Sequence, residues 1–377
     1  MSETVLNDFS TLLGRVLSDD AHLAQDRAAA ELRAGRPLLI EASGRLTLTA
    51  ALDGASPSLF SVFSGLANGV LALTPQRARM MGLAVDYEIA LPLAGLDLQS
   101  AKHLASDPRL KAPTSWTEAT AGMLGAIDLC KTALLLPAVL AAPMPLDAQL
   151  PKGLQRYRLD CPAGEPHAPY DLEIVSQADV PLKSGIKGRF MVFRGGPAPR
   201  DQVAIVVGDP DPAKPVLVRA HSACLTGDLF GSLRCDCGDQ LKNAMARLAE
   251  EGGGVLLYLD QEGRGIGIGN KMRAYALQDD GFDTIDADAV LGFSADERRY
   301  EYAASILHTL GYRRITLLTN NPEKIGALTR AGIEVVGRQP LFGTITSQNN
   351  GYLRTKAQRA QHMLQDLLDQ GEATGTD

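Results

Sequence analysis

Residues 254–271 read GVLLYLDQEGRGIGIGNK, an apolar run followed at once by four glycines set among charged side chains. The first part, Gly254–Leu259, is short and apolar, which predicts a buried β-strand. The second part, from Gln261 to Lys271, predicts a loop, since closely spaced glycines interrupt helix and strand patterns alike. The stretch therefore predicts a strand–loop unit of an α/β domain.

Strands and helices alternate on both sides of this unit. Apolar runs predict strands at residues 203–207, 215–219, 315–318 and 333–336. Helical patterns are found at residues 239–251 and 299–310, and Asn321-Pro322 begins a further helix. This alternation favours an α/β fold for the second half of the chain.

The first half predicts a separate α+β domain. A helical pattern from residue 6 to residue 32 ends at the breaker cluster Ala34-Gly35-Arg36-Pro37. Thr74 is a plausible N-cap for a helix that begins at Pro75. Strands are expected at residues 37–40, 46–49 and 69–73. Because residues 151–175 show no periodicity, we predict domains at 1–150 and 176–377 joined by a linker.

The composition is that of a soluble globular protein. The 377 residues are 45% hydrophobic and 21% charged, which excludes wholesale disorder and predicts two or three domains. The formal net charge of −7 argues against a nucleic-acid coat protein. The most apolar run, Ala133–Pro145, is too short for a membrane span, and the N-terminus has no signal-peptide pattern. We therefore expect a cytoplasmic enzyme without nucleic-acid or membrane partners.

Three of the five cysteines, Cys224, Cys235 and Cys237, fall within fourteen residues. In a chain without a leader this cluster predicts a metal site before disulfides. Three thiolates with the fourth position open are the ligand arrangement of a catalytic zinc, and His221 is the nearest candidate for a fourth ligand of a closed site. The alternative is that the cysteines are small buried apolar residues, which their polar neighbours disfavour.

Three polar segments could line a pocket. The glycines after Leu259 would let backbone N–H groups approach an anion, with charge added by Arg264 and Lys271, although the segment could be only a flexible connection. Residues 296–300 could be only the start of a helix, and residues 319–324 only a turn. The second segment, however, follows the end of a buried strand, and α/β sheets bind ligands at the carboxyl ends of their strands. Together with a zinc site, the segments indicate an enzyme that acts on a phosphorylated substrate.

In these segments the chain resembles the GTP cyclohydrolase II family, over about residues 176–364. The matching segments are Arg219–Asp228, Ser232–Gly238, Gln261–Arg264, Asn270–Tyr275, Leu291–Phe293, Leu318–Pro322 and Tyr352–Lys356. Members of the family open the imidazole ring of GTP at the start of riboflavin synthesis. The resemblance implies zinc-dependent hydrolysis of GTP with release of formate and pyrophosphate, carried out by a homodimer.

The resemblance also implies roles for individual residues. The three clustered cysteines would hold one zinc ion per subunit, and Mg²⁺ would accompany the triphosphate. Asp296 would be the proton acceptor, Arg298 the nucleophile toward the α-phosphorus, and Tyr275 would lie near the opened ring. The residues that would contact GTP are Arg219, His221, Ser222, Gln240, Glu262, Gly263, Arg264, Thr284, Thr319 and Lys324.

Two departures from the family pattern leave other functions open. The family commonly has Glu before the first zinc cysteine and Arg before the Gln-Glu-Gly-Arg segment, where this chain has Ala223 and Asp260. One alternative is a related enzyme that uses another nucleotide, as in pyrimidine catabolism. The other is a nucleotide-binding regulator without catalysis, which would not need Tyr275, Asp296 and Arg298 together with the cysteines.

The first half is similar in outline to 3,4-dihydroxy-2-butanone-4-phosphate synthase, a domain often fused ahead of GTP cyclohydrolase II. In that family metal is bound by an acidic segment and by a Gly-His-Thr-Glu segment. The matching residues here are Arg45–Ala50 for the first and Ser115–Glu118 for the second, and both metal ligands fall on apolar residues. Glu41 and Glu118 are the carboxylates that remain. We therefore expect a degenerate domain without synthase activity, kept to support folding or dimer assembly.

Overall fold

The computed structural model describes residues 21–159, 170–195 and 201–343, and the statements below refer to these residues. The chain divides into two compact units. Unit 1 comprises residues 1–165 with 290–292, and unit 2 comprises residues 166–289 with 293–377. Each unit is built on one seven-stranded sheet accompanied by helices, so the predicted mixed α/β class is confirmed.

The sheet of unit 1 is mostly antiparallel. Its elements are α1 (Ala21–Arg33), β1 (Leu38–Ala42), β2 (Arg45–Ala51), α2 (Pro57–Ser64), β3 (Val70–Leu73), α3 (Pro75–Met80), β4 (Ile89–Pro92), α4 (Leu98–Ser106), β5 (Thr117–Glu118), α5 (Ala121–Thr132), β6 (Ala138–Met144) and β7 (Gln155–Arg158). The strand order is β5-β4-β3-β6-β2-β1-β7. Ser43 and Gly44 join β1 to β2 with φ values of 50° and 69°, the backbone of a two-residue hairpin turn.

Local signals in the sequence account for the start and end of α3. The Thr74 side chain accepts a hydrogen bond from the backbone N–H of Arg77, and Pro75 takes the first helical position, as predicted. Gly82 adopts a φ of 94° just past the end of the helix, a conformation that glycine reaches without strain.

Part of the predicted linker at residues 151–175 is a strand. β7 pairs in parallel with β1, from Leu38 opposite Gln155 to Glu41 opposite Arg158. The sequence did not indicate this strand because β7 lies at the edge of the sheet, where mostly exposed polar side chains suffice. Four residues of the predicted linker thus form a strand of the sheet of unit 1, while the domain bounds stay a prediction.

The sheet of unit 2 has a parallel half and an antiparallel half. Its elements are β8 (Glu173–Pro181), β9 (Lys187–Arg194), β10 (Gln202–Gly208), β11 (Val216–Ser222), a π-helical turn (Leu225–Leu229), α6 (Cys237–Glu250), β12 (Gly253–Leu259), a 3₁₀ turn (Glu262–Gly265), α7 (Gly267–Asp279), α8 (Thr284–Val290), α9 (Glu301–Thr309), β13 (Arg314–Leu318), α10 (Pro322–Arg330) and β14 (Glu334–Gln339). The strand order is β14-β13-β11-β12-β10-β9-β8, with β11 to β14 parallel and β8 to β10 antiparallel.

The central strand β12 is covered on both faces, which explains its apolar sequence. Leu257 packs in a cluster with Ile306 of α9, on one face. Leu256 points to the other face and packs with Ala244 and Leu248 of α6. A strand buried on both faces needs apolar residues at successive positions rather than in alternation. The strand predicted at 254–259 is confirmed.

No helix in the described parts of the chain is long and apolar enough to cross a membrane. The helix predicted from residue 6 is described only from Ala21, where α1 begins. The segment Tyr352–Lys356 of the family resemblance lies outside the described residues.

Candidate functional site

A cavity lies at the carboxyl ends of β11, β12 and β13, where parallel sheets place their binding loops. The loop after β11 carries the cysteines, the loop after β12 is rich in glycine, and the loop after β13 begins with Thr319. The cavity is lined by Arg219, His221, Ser222, Ala223, Cys224, Arg234, Cys235, Cys237, Gln240, Gln261, Glu262, Gly263, Arg264, Ile266, Lys271, Ala274, Tyr275, Gln278, Thr284, Asp288, Arg298, Thr319, Asn320, Asn321 and Lys324.

The three predicted metal ligands come together in this cavity. The sulfurs of Cys224, Cys235 and Cys237 lie within 4.8 Å of one another, and the first two are 3.7 Å apart. Zinc–sulfur bonds of about 2.3 Å in a tetrahedron separate the sulfurs by roughly 3.8 Å, so the spacing fits zinc. Among the described residues this is the one group of three potential ligand side chains. His221 is not part of it, and the possibility of a fourth ligand there is not supported.

Gly227 leaves the space that the sulfurs need. A Cβ atom at this position would lie 2.9 Å from the Cys235 sulfur and 3.1 Å from the Cys224 sulfur. Gly227 belongs to the π-helical turn, a rare geometry that is frequent at functional sites. The Cys224 side chain accepts the backbone N–H of Gly227 at 3.3 Å, which holds the turn against the first sulfur.

Lys271 and Glu262 connect the glycine-rich loop to the cysteine loop. The Lys271 ammonium lies 2.7 Å from a Glu262 carboxylate oxygen, 3.1 Å from the Cys224 sulfur and 2.9 Å from the Thr226 hydroxyl. The other Glu262 oxygen accepts the backbone N–H of Leu225 at 2.6 Å. Burial alone would lower the pKa of Lys271, but Glu262 and Cys224 outweigh burial and raise it. Lys271 is therefore a permanent cation beside the sulfurs.

The glycine-rich loop is a tight turn rather than a flexible connection. Gly263 and Arg264 both have left-handed backbones, with φ of 63° and 62°. At Gly265 a Cβ atom would meet the carbonyl oxygen of Glu297 at 2.6 Å, so only glycine fits there. The Arg264 guanidinium donates to the carbonyl of Ala295 at 3.2 Å. The loop therefore packs directly on the segment that carries Asp296 and Arg298.

Asp296 and Arg298 form a close ion pair at the wall of the cavity. Arg298 donates its Nε–H to Asp296 at 2.8 Å, a second guanidinium N–H to the other oxygen, and its backbone N–H at 3.0 Å. Burial acts to raise the pKa of Asp296, but Arg298 outweighs it and the pKa is lowered. Asp296 is thus a carboxylate at neutral pH. Asp296 is the one predicted site residue that does not line the cavity; it is bonded to Arg298, which does.

Two buried basic side chains, Arg219 and Lys324, line the cavity. The Arg219 guanidinium donates to the carbonyl of Leu318 at 2.9 Å and to the Gln240 side chain at 2.6 Å. Burial lowers the pKa of Arg219 to about 10, which leaves it charged at neutral pH. The Lys324 ammonium donates to the carbonyl of Ala220 at 2.8 Å and is 5% exposed. Two cations therefore occupy positions that suit a polyanionic ligand.

The remaining predicted residues lie around the rim and walls. Tyr275 of α7 faces the Arg234 guanidinium, 5.0 Å from the ring centre. The Thr284 hydroxyl is 3.5 Å from the Gln278 side chain. Thr319 is buried and accepts the backbone N–H of Asn321 at 3.0 Å. These contacts fix side chains that come from α7, the start of α8 and the loop after β13.

Several residues of the cavity were not among the predicted site residues. The sequence indicates Lys271 only as a charge on the loop, because its contact with Cys224 depends on the folded chain. Gln261 and Asp288 line the cavity and are buried. Gln261 begins the Gln261–Arg264 segment but was given no role there, and nothing in the sequence around Asp288 indicated the site. Asp228, in the π-helical turn, does not line the cavity, but its carboxylate contacts His221, which does.

The chain is similar to known proteins along most of its length. The family model of GTP cyclohydrolase II matches residues 173–340. A GTP cyclohydrolase-2 of Xylella fastidiosa (strain 9a5c) is 49% identical over 350 residues, which cover 90% of this chain and 87% of that protein. A GTP cyclohydrolase-2 of Azospirillum brasilense is 41% identical over 371 residues, covering 92% of this chain and 95% of that protein. These matches extend well beyond unit 2.

Among solved structures, a two-domain 3,4-dihydroxy-2-butanone 4-phosphate synthase of A. baumannii aligns with 85% of this chain and 99% of its own, at 15% identity and a TM-score of 0.28. A superposition of this quality does not assign a fold to either unit.

Proposed function

The chain belongs to the GTP cyclohydrolase II family of hydrolases, and from that premise we propose that unit 2 opens the imidazole ring of GTP in a zinc-dependent reaction. Formate and pyrophosphate would be released, leaving a diaminopyrimidinone ribosyl phosphate at the entry to riboflavin synthesis. One observation carries the proposal. Three sulfurs at zinc-ligand spacing line the same cavity as the buried cations Arg219 and Lys324.

Cys224, Cys235 and Cys237 would hold one zinc ion per subunit, since their spacing and the room left by Gly227 suit it. When bound, zinc supplies Lewis-acid activation of water for attack at C8 of the purine. Contacts with the other two sulfurs lower the pKa of Cys224, and the Lys271 ammonium acts in the same direction. The chain therefore favours the thiolate form at Cys224, whereas the contact with Cys224 raises the pKa of Cys235 and Cys237, which bind a metal ion only after losing their protons.

Arg298 and Asp296 suit chemistry at a phosphate. The guanidinium is planar and can meet phosphate oxygens with two donors. To act as a nucleophile toward the α-phosphorus, Arg298 would have to lose a proton, and Asp296 is the carboxylate in direct contact that could accept it. The same contact fixes the plane of the guanidinium. Mg²⁺ would accompany the triphosphate and neutralise part of its charge.

The test uses the purified full-length protein with GTP and Mg²⁺, and measures zinc content, formate, pyrophosphate and the pyrimidine product. Cys235→Ser should lose zinc and formate release together, because two thiolates and a hydroxyl hold zinc poorly. Cys130→Ala, at a buried cysteine of unit 1, is the matched control and should keep both. Full activity in a zinc-free Cys235→Ser protein would contradict the metal assignment.

A second candidate is turnover of a different nucleotide, which Ala223 favours. Ala223 lines the cavity at the position where the family commonly has a glutamate, so the wall lacks that carboxylate. The same assay with ATP, ITP and other nucleotides separates the candidates. Turnover of only another nucleotide supports this second function, and tight GTP binding without turnover supports a regulator. A cytoplasmic homodimer stays a prediction, and light scattering of the purified protein tests the dimer.

A further inference from the structure

The carboxylate of Asp228 contacts three parts of the site from beneath the cavity. Both of its oxygens lie 3.2 Å from Nε2 of His221. Oδ2 also accepts the backbone N–H of Cys224 at 2.9 Å and the hydroxyl of Tyr258 at 3.0 Å. The Asp228 side chain is 6% exposed. One buried carboxylate therefore links β11, the first metal ligand and β12.

These contacts decide which nitrogen of His221 carries the proton. A carboxylate only accepts hydrogen bonds, so the nitrogen that faces Asp228 must be the N–H. Burial lowers the pKa of His221 more than Asp228 raises it, so the ring is neutral and holds a single N–H. Nδ1 is then a lone-pair acceptor. The Tyr258 ring stacks on the imidazole with centroids 5.7 Å apart, which keeps the ring in place.

Nδ1 of His221 has no hydrogen-bond partner among the described residues, although it is buried. A buried acceptor without a partner costs free energy, which a ligand donor can recover. His221 lines the cavity, so such a donor can come from the occupant. Phosphate oxygens at neutral pH accept hydrogen bonds and do not donate them. Among the groups of a nucleotide, the donors are therefore in the nucleoside part, either an N–H of the base or a ribose hydroxyl.

We propose that Asp228 is a positioning residue: it fixes the Nε2–H tautomer of His221, so that Nδ1 accepts a hydrogen bond from the nucleoside part of the nucleotide. The ligand class rests on the proposed function, whereas the tautomer does not. Asp228 also anchors the backbone of Cys224 through Oδ2. The two effects can be separated in part, because Cys224 uses Oδ2 alone, whereas His221 faces both oxygens of the carboxylate.

Asp228→Asn separates them. The amide oxygen can take the place of Oδ2 and keep accepting from Cys224 and Tyr258, which puts the NH₂ group opposite His221. The amide oxygen stays 3.2 Å from Nε2, but the NH₂ group at the place of Oδ1 opposes an N–H at Nε2, so we expect the proton to move to Nδ1, which becomes a donor. We expect unchanged zinc content, about tenfold weaker GTP binding, on the order of one neutral hydrogen bond, and unchanged binding of inorganic tripolyphosphate.

The direct readout is ¹⁵N NMR of the histidine-labelled full-length protein, with the His221 signal assigned by its absence in a His221→Asn variant. The wild type should show the Nε2–H form and Asp228→Asn the Nδ1–H form. Tyr258→Phe is the matched control: it removes one hydrogen bond to Asp228 and should leave tautomer and GTP affinity unchanged. An Nδ1–H signal in the wild type would overturn the proposal without any variant.

Calorimetric titration with GTP and with tripolyphosphate supplies the second readout. Equal weakening of both ligands in Asp228→Asn would overturn the assignment to the nucleoside, and so would equal binding by wild type and variant. If the wild type bound neither ligand, the proposed function would fail. The NMR result would still decide whether Asp228 sets the tautomer.

Discussion

Replacing Gly227 by alanine tests the metal site with a single methyl group. The new Cβ would lie 2.9 Å from the Cys235 sulfur, and 3.1 Å from both the Cys224 sulfur and Cβ of Cys237. Ordinary van der Waals contact begins near 3.4 Å. To relieve these close contacts, the cysteine side chains would have to move by roughly 0.3–0.5 Å. Such a movement exceeds the tolerance of about ±0.2 Å in metal–ligand distances. We expect zinc affinity to fall about 10- to 100-fold, the usual effect of disturbing the support of metal ligands.

The assay is competition for zinc between the protein and a chromophoric chelator, with zinc content measured after dialysis. Gly269→Ala is the matched control, because Gly269 is an exposed glycine of α7 whose added Cβ meets no atom within 4 Å. It should keep the zinc affinity of the wild type and gain about 0.5–1 kcal/mol of stability from the better helix former. Wild-type zinc affinity in Gly227→Ala would refute the idea that the sulfurs surround Gly227.

Three further predictions concern the rest of the chain. Arg298→Lys should lose formate and pyrophosphate release despite keeping its charge, because the planar fork that pairs with Asp296 is lost; normal rates of product release would contradict this. Burial raises the pKa of Asp288 to about 7. The Asp288 carboxyl therefore contributes stability below about pH 4, and this contribution is lost as the pH rises through 7. In urea unfolding, Asp288→Asn should be more stable than the wild type at pH 8 by at most about 4 kcal/mol. Near pH 3.5 the two proteins should unfold with the same free energy. With ribulose 5-phosphate and Mg²⁺, the full-length protein should form no dihydroxybutanone phosphate, and detection of that product would show that unit 1 is active.

Elements with a local cause could be predicted from the sequence. The apolar run of β12 reflects burial on both faces, and Thr74-Pro75 and Asn321-Pro322 both begin helices. β8 could not be predicted in this way. All nine of its residues are exposed, so no alternation of apolar and polar residues marks it as a strand.

The candidate site shows the same division between local and distant causes. The Cys235-Asp236-Cys237 spacing indicates a metal site because neighbouring residues can share one ion. The contact of Lys271 with Cys224 joins residues 47 positions apart, and no pattern in the sequence around either residue predicts it. It arises because β11 and β12 are parallel neighbours, so their following loops meet at one edge of the sheet. The order of strands, which the sequence did not provide, is what assembles the cavity.

The structure of unit 1 gives a physical reason to expect no synthase chemistry there. Glu41 on β1 is within 3.0 Å of Arg156 and 3.4 Å of Arg158 on β7, so its charge is already paired.

Glu118 lies on β5, and four strands separate β5 from β1 in the sheet. At about 4.8 Å per strand the two carboxylates are on strands roughly 24 Å apart, too far to share one ion. Between them, Leu46 and Leu48 are buried in β2, where the synthase family has its acidic segment. These leucines extend the apolar packing of the sheet and offer no ligand to a metal ion.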